Sequence, residues 1–229
     1  MYNFSYFSPI HIETFIVSAL FCTLLLFIPK IFKRLDLKKY SLFLGYFLLF
    51  FKVVDSVYRV IYQKEPIYNV MLVHLCNFVA IFAAFYLIFR TKYLYNVVYY
   101  LSFGPILALI LPGITNYFNN YYVYIFMIMH ALIVFTVVFG AKYLDGEPTK
   151  KGLFQSIVTL LIIFLYAAFY NFLFKDINAM FLREYIEPRI FGFIKPFWIY
   201  RIVLIIGMVL LEVLLYFLTN CVSTIYLSS

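Results

Sequence analysis

Residues 121–141 read YYVYIFMIMHALIVFTVVFGA, an unbroken apolar run with no charged side chain and one histidine, His130, near its centre. Crossing about 30 Å of hydrocarbon takes roughly 20 helical residues, so this stretch predicts a transmembrane helix. Six further apolar runs flank it, near 12–30, 40–62, 69–89, 95–113, 153–174 and 197–219. With 66% apolar and 12% charged residues, and a mean hydropathy of +0.98, the composition is foreign to a soluble domain of 229 residues. The predicted fold is all-α: a polytopic membrane protein, a seven-transmembrane-helix bundle forming one integral membrane domain over 1–229. Helices consume most of the chain, leaving no room for a soluble catalytic domain, so function must reside within the bundle. The first apolar run follows His11 and Glu13 rather than a basic segment and precedes no small-residue cleavage site, so it is expected to remain as helix one.

Charge distribution sets an expected orientation. Lys30, Lys33, Arg34, Lys38 and Lys39, then Arg90 with Lys92, then Lys142, Lys150 and Lys151 mark alternate loops as cytoplasmic. The intervening stretches Gln63 to Tyr68 and Ile114 to Tyr122 are nearly free of basic residues, which places the N-terminus outside and the C-terminus inside. The connection from Lys175 to Lys195 runs against this pattern, since it is basic yet lies on the outer side. The net charge of +8 is assigned to cytoplasmic loops on anionic lipid, and nucleic acid is not an expected partner. Membrane lipids are.

Within this topology the polar residues gather at one depth. Counting about 1.5 Å per residue, His74 and Cys76 lie roughly 8 to 10 Å below the outer edge, His130 about 12 to 14 Å, Asp55 about 10 Å and Arg59 about 5 Å. Asn171 sits just inside the outer end of helix six, and Trp198, Tyr200 and Arg201 open helix seven at the same face. Ionisable residues inside a membrane mark functional sites by default. Lys52, Asp55 and Arg59 share one helix face at i, i+3 and i+7, so Asp55 can pair with either cation, as a structural ion pair or as a polar wall for a headgroup or proton. His74 and Asn77 face nearly the same side of helix three, whereas Cys76 is turned about 160° from His74 on an ideal helix. Helix three is therefore either irregular there or central, with partners on two sides. Glu212, near the inner end of helix seven, reads as a solvated end residue.

The segment Leu72-Val-His74-Leu-Cys76-Asn77, with Gly104, Pro112, His130 in MIMHALIVF, Asn171 in YNFLF and the KPFWIY opening of the last helix, resembles the YwaF-like integral membrane family over about residues 70 to 215. Val73 stands where that family usually has proline. A eukaryotic branch is associated with cysteine-dependent acyl transfer between phospholipids and lysophospholipids. The resemblance implies Cys76 as nucleophile, with His74 and His130 beside it. Such chemistry needs an imidazole within hydrogen-bond reach of the thiol. Helices packed 8 to 10 Å apart, as is typical, let side chains on helices three and five meet, which makes His130 the expected base. His74 is assigned an oxyanion or headgroup contact, Asn77 the orientation of an imidazole, and Asp55 with Arg59 the phosphate or amine of a headgroup. Asn171, Tyr200 and Arg201 complete the expected substrate-binding set.

Two other classes fit parts of the pattern. A solute or proton-coupled transporter would place the same residues at one depth, but seven helices do not divide into repeats. A non-catalytic protein would use the polar layer only for helix association. No cofactor or metal is expected: the chain has three histidines in all, too few for a metal centre beyond His74, His130 and Asp55. Three scattered cysteines show no disulfide frame.

Overall fold

A computed structural model describes residues 2–114, 116–186 and 188–227. Its elements are a two-residue strand β1 (Tyr2–Asn3), α1 (Pro9–Ile31), α2 (Leu37–Ile61), α3 (Ile67–Val70), α4 (Leu75–Phe89), α5 (Lys92–Leu101), α6 (Phe103–Ile110), strand β2 (Asn116–Tyr117), α7 (Asn120–Tyr143), α8 (Lys150–Leu173), a 3₁₀ turn (Ala179–Phe181), α9 (Pro188–Phe191) and α10 (Phe197–Leu227). β1 pairs antiparallel with β2, tying the N-terminus to the α6–α7 connection. The chain is an integral membrane protein in its architecture. Among the described residues six segments are long and apolar enough to cross a bilayer: α1, α2, the joined α5–α6 (Lys92–Ile110), α7, α8 and Phe197–Cys221 of α10.

The expected seventh crossing, helix three over 69–89, is broken. Its apolar part is α4 alone, 15 residues or about 22 Å long, short of the hydrocarbon thickness. Four non-helical residues, 71–74, separate α4 from α3, with His74 extended at φ −117°, ψ 158°. Irregular backbone survives at membrane depth only where protein satisfies its polar groups. Here Met180 N–H donates to Val73 O at 3.1 Å, and Asn77 N–H to His74 O at 3.0 Å. Expected helix four is also divided, at Ser102, because Pro105 lacks the N–H that would bond Leu101 and its ring crowds that carbonyl.

Side-chain caps fix the helix starts. Asp36 Oδ1 accepts from Lys38 and Lys39 N–H, Thr91 Oγ1 from Leu94 N–H, Asn119 Oδ1 from Tyr121 N–H, and Thr149 Oγ1 from Gly152 N–H. α4 is the hub, packed against α2, α5, α6 and α7, with Val79, Ala80, Ala83 and Ala84 essentially inaccessible. Small residues let the backbones approach: a Cβ on Gly45 of α2 would lie 2.6 Å from Ile88 Cγ1 and 2.9 Å from Ala84 O. α1 lies against α7, and α10 against α8, both largely exposed outside this core.

Hydrogen bonds mark two ends of the bundle. At the N-terminal end, His11 Nε2 contacts Leu109 O at 3.0 Å and Phe118 N–H donates to Gln63 Oε1 at 3.2 Å. At the opposite end, Tyr40 OH donates to Leu25 O, Tyr143 OH to Leu26 O, and Arg90 to Lys38 O. The broken segment 71–74 and the start of α10 belong to the N-terminal end, joined there by the 174–186 connection.

Candidate functional site

The break before α4 makes Leu75, Cys76 and Asn77 the first three residues of a helix lying against four others. The first amides of a helix have no partner within it, and among the described residues those of Leu75 and Cys76 receive no backbone acceptor from outside it. Cys76 is half-buried and free, its thiol turned towards its own backbone N–H. A methyl group on Gly104 of α6 would lie 3.8 Å from Cys76 Sγ and 3.1 Å from Leu75 Cδ2, so that glycine keeps the space beside the sulfur open. The Asn77 side chain makes no hydrogen bond among the described residues.

His130, on α7, is buried, and its Nδ1 lies 2.7 Å from Phe126 O. A carbonyl only accepts, so Nδ1 carries the proton and Nε2 presents a lone pair. The Phe126 ring also lies against the imidazole, tilted by 32° with 4.1 Å between centroids, and restricts its plane. No hydrogen bond joins His130 or His74 to Cys76 among the described residues. The two residues share an electrostatic neighbour instead: Lys52 of α2 acts on both the thiol and the imidazole, and Asp55 acts on the imidazole.

Lys52 and Asp55 form a buried pair at 2.7 Å, and Lys52 also reaches Ser56 Oγ. Arg59 is engaged elsewhere, by two parallel bonds to Glu65 at 2.9 and 2.6 Å, with Asn69 donating to the same carboxylate. Asp55 and Arg59, expected to hold a headgroup, are thus each already neutralised. The partner of Arg59 lies past the helix end, outside the i, i+3, i+7 face on which the sequence places the charges.

His74 stacks on Phe181 with centroids 5.0 Å apart, and its buried Nδ1 has no hydrogen-bond partner among the described residues. Phe181 belongs to the 3₁₀ turn, where Met180 and Phe181 adopt φ of 52° and 57°. Left-handed backbone costs about 1–2 kcal/mol per non-glycine residue, so the turn must be held from outside. Asn171 supplies the hold: its Nδ2 donates to Ala179 O at 3.0 Å and its Oδ1 accepts from Ala179 N–H at 2.8 Å. Tyr200 OH accepts from Ile186 N–H, and Arg201 Nε donates to Leu182 O, fastening the same connection to α10. Asn171 and Tyr200, expected to bind substrate, spend their polar atoms on this connection and position it over the break.

Replacing Asn171 with alanine is therefore expected to free the turn. Leaving the buried Ala179 amide unpaired costs about 1–3 kcal/mol, and its hydrogen exchange should accelerate on the order of tenfold to a hundredfold while amides in α7 keep their protection. Unchanged exchange at Ala179 would contradict this role.

Sequence reasoning missed three contributors. Lys52 was visible only as a partner for Asp55, and Phe181 and Arg183 sit in a connection with no motif. Glu212 departs from its expected solvated position: it is fully buried in α10, with Ser156 of α8 as its polar neighbour and no other partner for its carboxylate among the described residues. His11 is a satisfied structural histidine, with Nδ1 accepting from Phe7 N–H and Nε2 directed to Leu109 O. Among the described residues, no three His, Cys, Asp or Glu side chains converge to hold a metal ion.

A helical bundle with six spanning segments, and a polar site around a seventh, broken one, defines a class of integral membrane protein. The chain belongs to the TMEM164 family, which it matches over residues 6–216. It is 27% identical over 210 residues to an uncharacterized protein of Treponema pallidum (strain Nichols), an alignment covering 92% of this chain and 87% of that one. No solved structure matches it.

Proposed function

We propose that the chain is a membrane-embedded lipid acyltransferase or lipid esterase, with Cys76 as nucleophile and His130 as base. The observation that carries this reading is the break at 71–74, which converts an ordinary membrane cysteine into one at the first turn of a helix. There the amide of Leu75, which has no acceptor among the described residues, and that of Cys76, released when the sulfur moves to attack, can donate to the oxyanion that develops on an attacked ester carbonyl. The cysteine and histidine come from packed helices, and the His130 tautomer leaves Nε2 able to take a proton.

In the first half-reaction His130 Nε2 removes the thiol proton as sulfur attacks the ester carbon of a phospholipid. The carbon–oxygen bond then breaks, and the leaving glycerol oxygen takes that proton from the imidazolium, giving a Cys76 thioester and a lysophospholipid. In the second, the hydroxyl of another lysophospholipid, or water, yields its proton to Nε2, attacks the thioester carbon and releases the thiolate, which recovers the proton. An apolar cavity of about 240 Å³ between α1 and α7, lined by Phe15, Cys22, Leu26, Leu109 and Ala131 among others, suits an acyl chain arriving sideways from lipid. The likeness to the YwaF-like family, with its cysteine-dependent acyl-transfer branch, points the same way. In this reading the chain is one membrane domain with its N-terminus outside, in a bacterial cell membrane, and takes lipid as substrate.

The test is acyl exchange in proteoliposomes containing a labelled phospholipid and an unlabelled lysophospholipid. Native protein is expected to move label between them, and His130→Ala to slow the movement by about 10²- to 10⁴-fold, the usual worth of a general base. Exchange indifferent to His130 would overturn its role. A second reading draws on the same break, because half-helix termini inside a bundle also form solute sites in transporters. Solute flux across the vesicle wall without acyl exchange would favour it.

A further inference from the structure

A recess at the N-terminal end of the bundle, between the last turn of α8 and the first turns of α10, is lined by Ala168, Asn171, Phe172, Leu182, Arg183 and Arg201. Two guanidinium groups share it, and among the described residues no carboxylate lines it. Among the described residues neither arginine has an acidic partner. Each is tethered on one side only. Arg183 Nη2 donates to Asn171 O, one of the last carbonyls of α8, and Arg201 Nε donates to Leu182 O at 2.8 Å with its guanidinium over the Phe197 ring. The tethers fix the planes of both groups, and among the described residues most of their N–H donors have no other acceptor, the arrangement that suits a tetrahedral oxyanion. Two like charges facing one recess call for an anion between them.

The rest of the lining says which anion. Ala168, Phe172 and Leu182 make one wall apolar, and Ala168 lies a turn deeper along α8 than Asn171 and Phe172. Phe172 and Trp198, 78% and 58% exposed, stand at the same level, as aromatic side chains do where hydrocarbon meets headgroups. The recess also borders the cysteine site through the chain itself: Met180 N–H bonds Val73 O, Phe181 stacks on His74, and Arg183 follows only two residues later, a reach of at most about 7 Å.

We propose that Arg183 and Arg201 bind the phosphate of a phospholipid headgroup, holding the lipid whose ester is presented to Cys76. This deepens the acyl-transfer reading and rests on it for the identity of the bound lipid as substrate; the binding itself does not require turnover. It also moves the headgroup contact from Arg59, which Glu65 occupies, to the connection before α10.

The test is native mass spectrometry of the full chain in maltoside detergent, offered phosphatidylglycerol, the diacylglycerol with the same chains, and millimolar inorganic phosphate. The expected result is retention of one phosphatidylglycerol in preference to diacylglycerol, undisturbed by inorganic phosphate, and lowered about tenfold in Arg183→Gln/Arg201→Gln. Arg183→Lys/Arg201→Lys, which keeps the charge should the glutamine pair fold poorly, is expected to fall between. Lys33→Gln is expected to retain lipid as the native chain does. Equal retention of diacylglycerol, or no loss in either arginine pair, would overturn the proposal; displacement by inorganic phosphate would overturn the lipid in favour of a free-phosphate site. Arginine-dependent retention without acyl exchange in the native protein would remove the catalytic reading and leave the headgroup site standing. Acyl exchange at native KM in the glutamine pair would remove the recess from the substrate's path and leave Cys76 in place.

Discussion

Cys76→Ala is expected to reduce acyl exchange by on the order of 10⁴-fold or more, because loss of a covalent nucleophile removes the intermediate and leaves only binding and oxyanion contacts. The fold should barely notice. The sulfur is half-buried and makes no hydrogen bond to another side chain, and the space beside it is bounded by Gly104 and Leu75, which alanine leaves undisturbed. A purified Cys76→Ala that keeps its Tm but loses exchange separates chemistry from folding. Cys22→Ala is the control: Cys22 lines the apolar cavity between α1 and α7, with no histidine or charged residue among its neighbours there. It should keep the acyl exchange that Cys76→Ala loses, any effect of the altered cavity wall showing in KM rather than in the acyl-enzyme. Full activity in Cys76→Ala would remove covalent catalysis at this position.

Gly152→Ala carries the largest expected loss of stability. A Cβ at this position would lie 1.8 Å from Asn96 Oδ1 and 2.1 Å from its Cγ, a distance at which one residue must move. Asn96 cannot move without loss, since it is 2% exposed and holds the α7–α8 connection with every polar atom it has. Its Oδ1 accepts from Thr149 N–H at 2.8 Å, and its Nδ2 donates to Lys92 O at 2.7 Å and Glu147 O at 3.2 Å. Overpacking typically costs 1–3 kcal/mol and each buried group left unpaired a similar amount. A combined loss of about 3 kcal/mol would lower Tm by about 10 °C for a chain of this size, read by thermal unfolding in detergent. Asn96→Ala added to Gly152→Ala should cost less than the sum of the two, since one clash is shared. A Tm within a degree of native would contradict the close contact.

The membrane character was fully legible in sequence, because crossing lipid demands long apolar helices and residues 121–141 or 197–219 can satisfy that demand alone. Pro105 is a local reason for the division at Ser102, yet residues 95–113 were expected as one undivided helix. The break at 71–74 was not legible. Its own residues include no proline or glycine, and it is stabilised by Met180, more than a hundred residues away, which satisfies Val73 O. The sequence offered an irregular or a central helix three, and both hold: α4 follows a break and packs on four helices. The polar residues were found by type, yet their roles depended on partners that spacing cannot reveal. Asn171 turns to Ala179, Arg59 to Glu65 beyond its helix, and Glu212 is covered because α10 lies on α8. Arg183, in a loop without regular period, carried no signal apart from its charge.

The most direct test of the central claim is peptide-level mass spectrometry of the native protein, quenched in acid shortly after mixing with phospholipid in vesicles. A hydroxylamine-labile acyl group on the Cys76 peptide, absent from Cys22 and Cys221 and lost in His130→Ala, is the predicted result. Acyl exchange proceeding with no acyl group on Cys76, or with equal labelling of all three cysteines, would contradict it.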